Sequence, residues 1–280
     1  MRRSGGKETS QAGEQGMGER LNPEEILRGL HTGWMGHRLE TREETESTND
    51  DCIALARAGA PAGTVVVTNW QSAGRGRRGR SWVAPPGSAI LLSAVLRPAF
   101  PPGAVGRVGM AAALAVVDLL ARARGLSARV KYPNDVLIAG KKVAGVLPEA
   151  YVAGGRLEWV VVGIGINLRR EAVPPGLEAQ ATSMEEHAPL PERDGMIRSL
   201  LECLERRVEQ ANEDPGVLAA AWRACDTVLG QHVSLQAGLE RFNGLAVDID
   251  QDARLRLRLT DGSVRWLTPS EVTFRTSLSS

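Results

Sequence analysis

Three short stretches concentrate groups that could handle an anionic substrate: "GRGRRGR" at residues 74–80, and the lysines of "KYPND" (131–135) and "GKK" (140–142). The first follows an apolar run, "TVVVTNW", and admits three readings. It matches G-x-G-x-x-G through Gly74, Gly76 and Gly79, the spacing of a dinucleotide fingerprint. That fingerprint needs a helix opening at the third glycine. Here Pro85 and Pro86 forbid an early helix, and residues 93–103 hold no carboxylate to meet a ribose. A nucleic-acid patch would need a wider basic surface with aromatic platforms. The chain's formal charge is only +1 and aromatics make up 4% of it. A plain solvated turn explains the polarity but not the density of arginine. A loop that closes over phosphates explains the composition best. Glycine lets backbone approach a ligand, arginine offers forked donors for phosphate oxygens, and four neighbouring guanidinium groups would order when an anion arrives.

Such a loop needs elements to hold it. Helical spacing marks residues 49–59 and 104–124, and short β-branched or apolar runs mark strands at 64–69 and 89–96. Three further strand regions follow at 127–135, 136–150 and 157–168, the middle one folding back at "AGKK". Amphipathic helices are expected at 194–212 and at 215–225, with Pro215 near a helix start. Beyond residue 225 the character changes to five short strands, among them "RLRLRL" (254–259), which alternates leucine in and arginine out. This predicts an α+β chain: a mixed-sheet domain at 21–225 followed by a small β-barrel at 226–280.

The remaining composition bounds the function. With 42% hydrophobic and 24% charged residues the 280-residue chain is ordinary for a globular protein, and its balanced charge gives no global pull toward DNA or an anionic membrane. No apolar run approaches the ~20 residues that span a bilayer. Residues 1–20 read as a disordered tail without a secretory h-region, and Met17 within it is a second candidate initiator. Cys52, Cys203 and Cys225 are odd in number, lack C-x-x-C spacing and fall in helix-like segments, as expected of small buried thiols in a cytoplasmic protein. His31, His37, His187 and His232 show no metal-ligand spacing.

Six motifs in order, "ESTND" (46–50), "QSAGRGRRGRSW" (71–82), "KYPNDV" (131–136), "GKKVAGVLPE" (140–149), "GIGINL" (163–168) and "ATS" (181–183), resemble those of the biotin–protein ligases. The likeness spans roughly residues 38–275. It implies a catalytic domain of the biotin/lipoate ligase type followed by an SH3-like barrel. It also implies a two-step reaction: the carboxylate of biotin attacks the α-phosphorus of Mg²⁺-bound ATP, giving biotinyl-5′-adenylate, and a lysine of a biotin carboxyl carrier domain then displaces AMP. By that resemblance Arg75 and Lys131 stabilise the charge of the first step with Arg77, and Lys142 holds the carboxyl–phosphate junction. Ser47, Thr48, Asn49 and Gln71 match biotin-contacting positions, with Gly76, Arg77 and Gly145 beside them, although Ser47 or Thr48 could also cap a helix. Arg78, Arg80, Trp82, Asn134 and Asn167 match positions near the nucleotide, Trp82 as the stacking residue. Asp135 has three candidate roles: base for the acceptor lysine, Mg²⁺ ligand, or anchor of the turn after Pro133.

The sequence departs from the family at several points. Tyr132 stands where tryptophan is usual, and Pro148 replaces an apolar residue, suggesting an edge or a bulge. "DARL" (252–255) lacks a customary turn glycine, and "PSEV" (269–272) replaces S-G-E-V. Only 46 residues precede Ser47, too few for the helix-turn-helix of the repressor members, so a ligase without repressor activity or specific DNA binding is expected, acting as monomer or homodimer. A non-catalytic adenylate sensor and a lipoate ligase are the competing readings. The set Arg75, Lys131 and Lys142 speaks against the first, and the loop and barrel speak against the second.

Overall fold

The computed structural model describes residues 20–274; residues 1–19 of the expected tail, Met17 among them, lie outside the described residues. Among the described residues, twelve strands form two sheets, accompanied by five α-helices. The larger sheet has seven strands in the order β1-β2-β3-β7-β6-β5-β4. These are β1 Arg38–Thr45, β2 Thr64–Gln71, β3 Ala89–Leu96, β4 Ala128–Lys131, β5 Asp135–Ile138, β6 Lys141–Ala153 and β7 Arg156–Asn167. Only β1 and β2 pair in parallel, joined by helix α2 (Thr48–Arg57) as a crossover, and every other neighbour is antiparallel.

Side-chain alternation gives this sheet two different faces. From β3, Ile90, Leu92, Ala94 and Leu96 point into the main core with Val160, Val162, Ile164 and Ile166 of β7. Helices α3 (Gly106–Arg124), α4 (Arg193–Glu213) and α5 (Pro215–Cys225) contribute to that core. On the other face Val66, Val95, Trp159 and Val161 pack against Cys52 and Ala56 of α2. Further along β7 that face carries Gly163 and Gly165 instead, so the sheet is left low beside α2, and a cleft lies there.

Helix ends follow their chemistry. In α1 (Pro23–Leu27) the Asn22 side chain accepts the amide of Glu24 at 3.0 Å. Pro215 opens α5, with Asp214 accepting the Val217 amide at 3.1 Å. The left-handed Gly125 ends α3, its amide reaching Ala121 O at 2.8 Å while Leu126 N returns to Leu120 O at 3.2 Å. By length and composition α3 is apolar enough to cross a bilayer. Its apolarity is spent inside the protein, because most of its residues are buried against the sheet and α4.

The second sheet is antiparallel and five-stranded, ordered β11-β10-β9-β8-β12. Its strands are β8 His232–Ala237, β9 Glu240–Ile249, β10 Leu255–Leu259, β11 Val264–Leu267 and β12 Val272–Phe274. Leu255 and Leu257 are buried and Arg256 and Arg258 exposed, as the alternation predicts. Ala253 adopts φ 63°, the left-handed region, at the turn lacking its customary glycine. The second sheet is tied to the rest of the protein by Arg107 of α3 to Asp252 at 2.6 Å, by Arg223 of α5 to Asp248 at 2.7 Å, and by the Tyr132 hydroxyl donating to Leu267 O at 3.2 Å.

Three expectations change. The 127–135 region is not one strand: β4 ends at Lys131 and the cis Tyr132–Pro133 bond lies in the turn before β5. Strand β1, "RLETREET", went unseen because a largely exposed edge has no apolar period. Pro148 does sit where β6 has outrun β5, whose pairing stops at Gly145, but the bulge falls at Tyr151/Val152. Since Val146 N donates to Asn134 O, two residues on Pro148 faces the same, open side, where a missing N–H costs nothing.

Candidate active site

The cleft has a volume of about 850 Å³ and is lined by residues from all six motifs. At one end, Ser47 occupies the N-cap position of α2 without capping it through its side chain, which leaves its hydroxyl unspent. Thr48 follows, its amide and hydroxyl both donating to Gln71 Oε1, at 2.8 and 3.0 Å. Thr48 Oγ1 also lies 2.7 Å from Ser93 Oγ, and Ser93 Oγ lies 2.6 Å from Asn49 Oδ1. Asn49 Nδ2 is occupied by Glu149 Oε2 at 2.5 Å and Leu147 O at 3.3 Å. Both amide orientations are therefore fixed, Gln71 by the Thr48 N–H and Asn49 by its two acceptors. Three oxygen–oxygen contacts share two hydroxyl protons, so one contact always lacks a proton; with Gln71 Oε1 on the Thr48 amide and Ser93 donating to Asn49, it is Thr48 Oγ1 that accepts nothing and keeps its lone pairs open. A ligand that donates N–H groups suits it. Gly163 is needed beneath it: a Cβ there would lie 2.2 Å from Asn49 Oδ1.

Ser93 was missed in the sequence. The available signal was one hydroxyl in an otherwise apolar strand, "AILLSAVL".

Gly145 and Gly165 stand opposite each other on β6 and β7 and form the floor at the middle of the cleft. The Trp82 ring lies on it; a Cβ on Gly165 would approach the indole to 2.6 Å, and one on Gly145 would meet Lys142 Nζ at 3.0 Å. Gly145 thus makes room for Trp82 and Lys142 in this structure. Trp82 Nε1 is buried with no hydrogen-bond partner among the described residues. Lys142 Nζ sits 5.4 Å from the indole centroid and pairs with Asp135 at 2.6 Å.

The basic loop is ordered in this structure. Gly76 N donates to Arg80 O at 2.6 Å and Trp82 N to Gly74 O at 2.8 Å, closing a tight turn with Arg78 (φ 57°) and Gly79 (φ 71°) at its tip. Its arginines go to different places. Arg75 binds both oxygens of Asp50, Nη2–Oδ1 at 2.6 Å, and reaches Glu149 at 3.6 Å. That hydrogen bonding holds the Asp50 carboxyl below the usual carboxylate range. Arg77 donates to Pro269 O in the second sheet's last turn and to Val272 O (3.1 Å) at the start of β12, and approaches Asn134 Oδ1 at 3.4 Å. Burial lowers its pKa. Arg78 donates to Glu271 O at 2.7 Å. Arg80 and Lys131 line the cleft with no carboxylate in ion-pair range among the described residues.

Asn134 and Asn167 are partly spent on structure, Asn134 Nδ2 on Val146 O and Asn167 Nδ2 on Thr182 O, both at 3.1 Å. Asp135 is engaged by Lys142, and no group of three or more His, Cys, Asp or Glu able to hold a metal occurs among the described residues. The donor set therefore does not suit a resident metal. Cys52 and Cys203 are buried and Cys225 half-buried; desolvation pushes the Cys52 thiol up to about 12.

Residues 43–167 match the Biotin/lipoate A/B protein ligase family. The chain is 36% identical over 238 residues to the biotin–[acetyl-CoA-carboxylase] ligase of Mycobacterium tuberculosis, covering 82% of this chain and 86% of that one. It is 33% identical over 247 residues to the bifunctional ligase/repressor BirA of Bacillus subtilis, covering 87% and 76%. The biotin protein ligase of Aquifex aeolicus, solved with biotin and ATP, shares the fold at a TM-score of 0.70 and 23% identity, over 86% of this chain and all of that one. By these sequence matches the chain belongs to the biotin/lipoate A/B protein ligase family, and within it to the biotin protein ligases.

Proposed function

We propose that the protein is an ATP-dependent biotin ligase that activates biotin as biotinyl-5′-adenylate and transfers it to a lysine of a biotin carboxyl carrier domain. The observation that carries this is the polarity of the cleft. A hydroxyl cluster with lone pairs open to a donor lies at one end, Arg80 and Lys131 lie without carboxylate partners among the described residues, and a glycine floor lies between. The ureido N–H groups of biotin answer the open lone pairs of this cluster, and the Ser47 hydroxyl is free to donate to the ureido carbonyl. The valerate chain then runs over the Gly145–Gly165 floor and brings its carboxylate toward Lys142.

A carboxylate oxygen attacks the α-phosphorus, the bond to the β-phosphate breaks, and pyrophosphate leaves. Lys131, Arg75 and Arg77 offset the negative charge gathered in that step, with Arg78 and Arg80 nearer the leaving group. Trp82, Asn134 and Asn167 serve the adenine, and Gly76 keeps the loop backbone close to biotin. Lys142 stays on the mixed anhydride until the acceptor amine attacks its acyl carbon and AMP departs. Asp135, already bound to Lys142, positions that lysine. Mg²⁺ enters as part of the nucleotide substrate, held by its phosphates.

We read the second sheet as an SH3-like barrel with the domain boundary at 225/226, where the buried Asp226 accepts from Trp222 Nε1 and from the amides of Val228 and Leu229. Three unpaired cysteines suit a reducing, cytoplasmic setting. Intact mass of a recombinant carrier domain, incubated with this protein, biotin and Mg·ATP, tests the reading. One added biotinyl group, abolished by Arg75→Ala, is the expected result. Tight biotin binding with no transfer to a competent acceptor would replace the ligase by a sensor.

A further inference from the structure

Ser93 lies on β3 with no exposed surface, in contact with two of the four residues placed at the biotin end of the cleft. Its environment is otherwise apolar: its neighbours along the strand, Leu92 and Ala94, turn into the main core. A buried hydroxyl costs free energy unless its hydrogen bonds are made, and here the partners are Thr48 Oγ1 at 2.7 Å and Asn49 Oδ1 at 2.6 Å. Its backbone carbonyl also accepts from Cys52 Sγ at 3.3 Å, which ties β3 to the same helix, α2. Both polar contacts reach α2 at its first turn, where Thr48 and Asn49 leave the cap and face the cleft.

The proton count gives this residue a specific task. Ser93 has one proton and two acceptors in reach. When it donates to Asn49, Thr48 Oγ1 gives its own proton to Ser93 Oγ or Gln71 Oε1 and accepts none, so its lone pairs are open to another donor. When it donates to Thr48, the Asn49 carbonyl oxygen is left for another donor. Asn49 cannot turn its amide over to escape, because Nδ2 is committed to Glu149 and Leu147 O. Ser93 therefore decides which acceptor of the cluster faces a ligand N–H, and fixes Thr48 and Asn49 in the geometry that presents it.

We propose that Ser93 is a positioning residue for recognition of the cyclic urea of biotin, acting through Thr48 and Asn49 without touching the reacting atoms. This rests on the function proposed above and assigns it a residue outside the six motifs.

The test compares Ser93→Ala with Ser88→Ala, a second fully buried serine whose hydroxyl donates to Pro85 O at 2.7 Å, away from the cluster. Biotin affinity is measured by titration calorimetry without nucleotide, together with KM for biotin, KM for ATP, kcat at saturating biotin, and the thermal midpoint. Ser93→Ala is expected to weaken biotin binding about tenfold and to raise KM for biotin in step, leaving KM for ATP and kcat within about twofold. Ser88→Ala is expected to lower the midpoint comparably and leave biotin affinity unchanged. Unaltered biotin affinity in Ser93→Ala would overturn the assignment. So would a parallel rise in both KM values in either variant, since that is the mark of a general structural role. Wild-type protein that binds no biotin would overturn the proposed function itself, and this assignment with it.

Discussion

At the scale of single residues, the arginines of the loop divide by partner more than by position in the motif. Arg75 is neutralised by Asp50 and Glu149, while Arg77 and Arg78 donate to backbone carbonyls that cannot release a proton or follow pH. The Asp50–Arg75 pair is the part of the tether that pH can reach. Asp50 is held below its ordinary pKa, so its contribution is complete above the usual carboxylate range and is lost only as pH falls through the lowered value. Loop protection is accordingly expected to be flat between pH 6 and 8. Asp50→Asn removes the charge at all pH values. We expect limited trypsin digestion after Arg75, Arg77 or Arg78 to speed up about threefold to tenfold in that variant, by about the worth of one exposed ion pair or slightly more. An unchanged cleavage rate would assign the ordering of the loop to the carbonyl contacts alone.

Among the elements, β7 does most to shape the site. Its sequence "VVVGIGIN" keeps valine and isoleucine on the core face and places Gly163 and Gly165 on the cleft face, a period of two in side-chain size. Gly165→Ala would press a methyl to 2.6 Å from the Trp82 ring, which is not a flexible side-chain end that yields cheaply. The substitution is expected to leave the far-ultraviolet circular dichroism unchanged, since Gly165 has no positive φ. It should lower pyrophosphate exchange by about a hundredfold, the scale of an ångström-sized misplacement at a reacting centre. Full exchange activity would show that Trp82 leaves the glycine floor without cost.

On the scale of the whole molecule, the second sheet closes one side of the cleft. Arg77 and Arg78 reach its last turn, and Tyr132, next to Lys131, donates to Leu267 O and meets the Phe274 ring edge-on at 6.4 Å. Burial raises the Tyr132 pKa, so the hydroxyl stays a donor throughout the working range of pH. Tyr132→Phe removes one buried hydrogen bond, worth about 1 kcal/mol. A midpoint lowered by roughly 2–4 °C is expected in differential scanning calorimetry. If the two sheets move independently, the midpoint will not change, because the bond would already be broken for much of the time.

Features that are local in cause could be read from residue order. Strand β3 and the helices α3 to α5 follow from runs of apolar residues and from Pro215 and Gly125 at their ends. The hairpin at Ala139–Gly140 follows from a turn in which both residues take positive φ. The cleft residues were legible because motifs tie residue type to chemistry, and five of the six motifs fall, but for Leu168, within the residues the family match covers. Tertiary structure alone decided what depends on long-range pairing. Strand β1 has no apolar period of its own and is fixed only by parallel register with β2. Ser93 meets Asn49 across 44 positions and Arg77 meets Val272 across 195, contacts that no local pattern encodes. Whether an arginine faces a phosphate, a carboxylate or a carbonyl is set by which distant segment the fold brings beside it, since the guanidinium is charged and donates in all three cases.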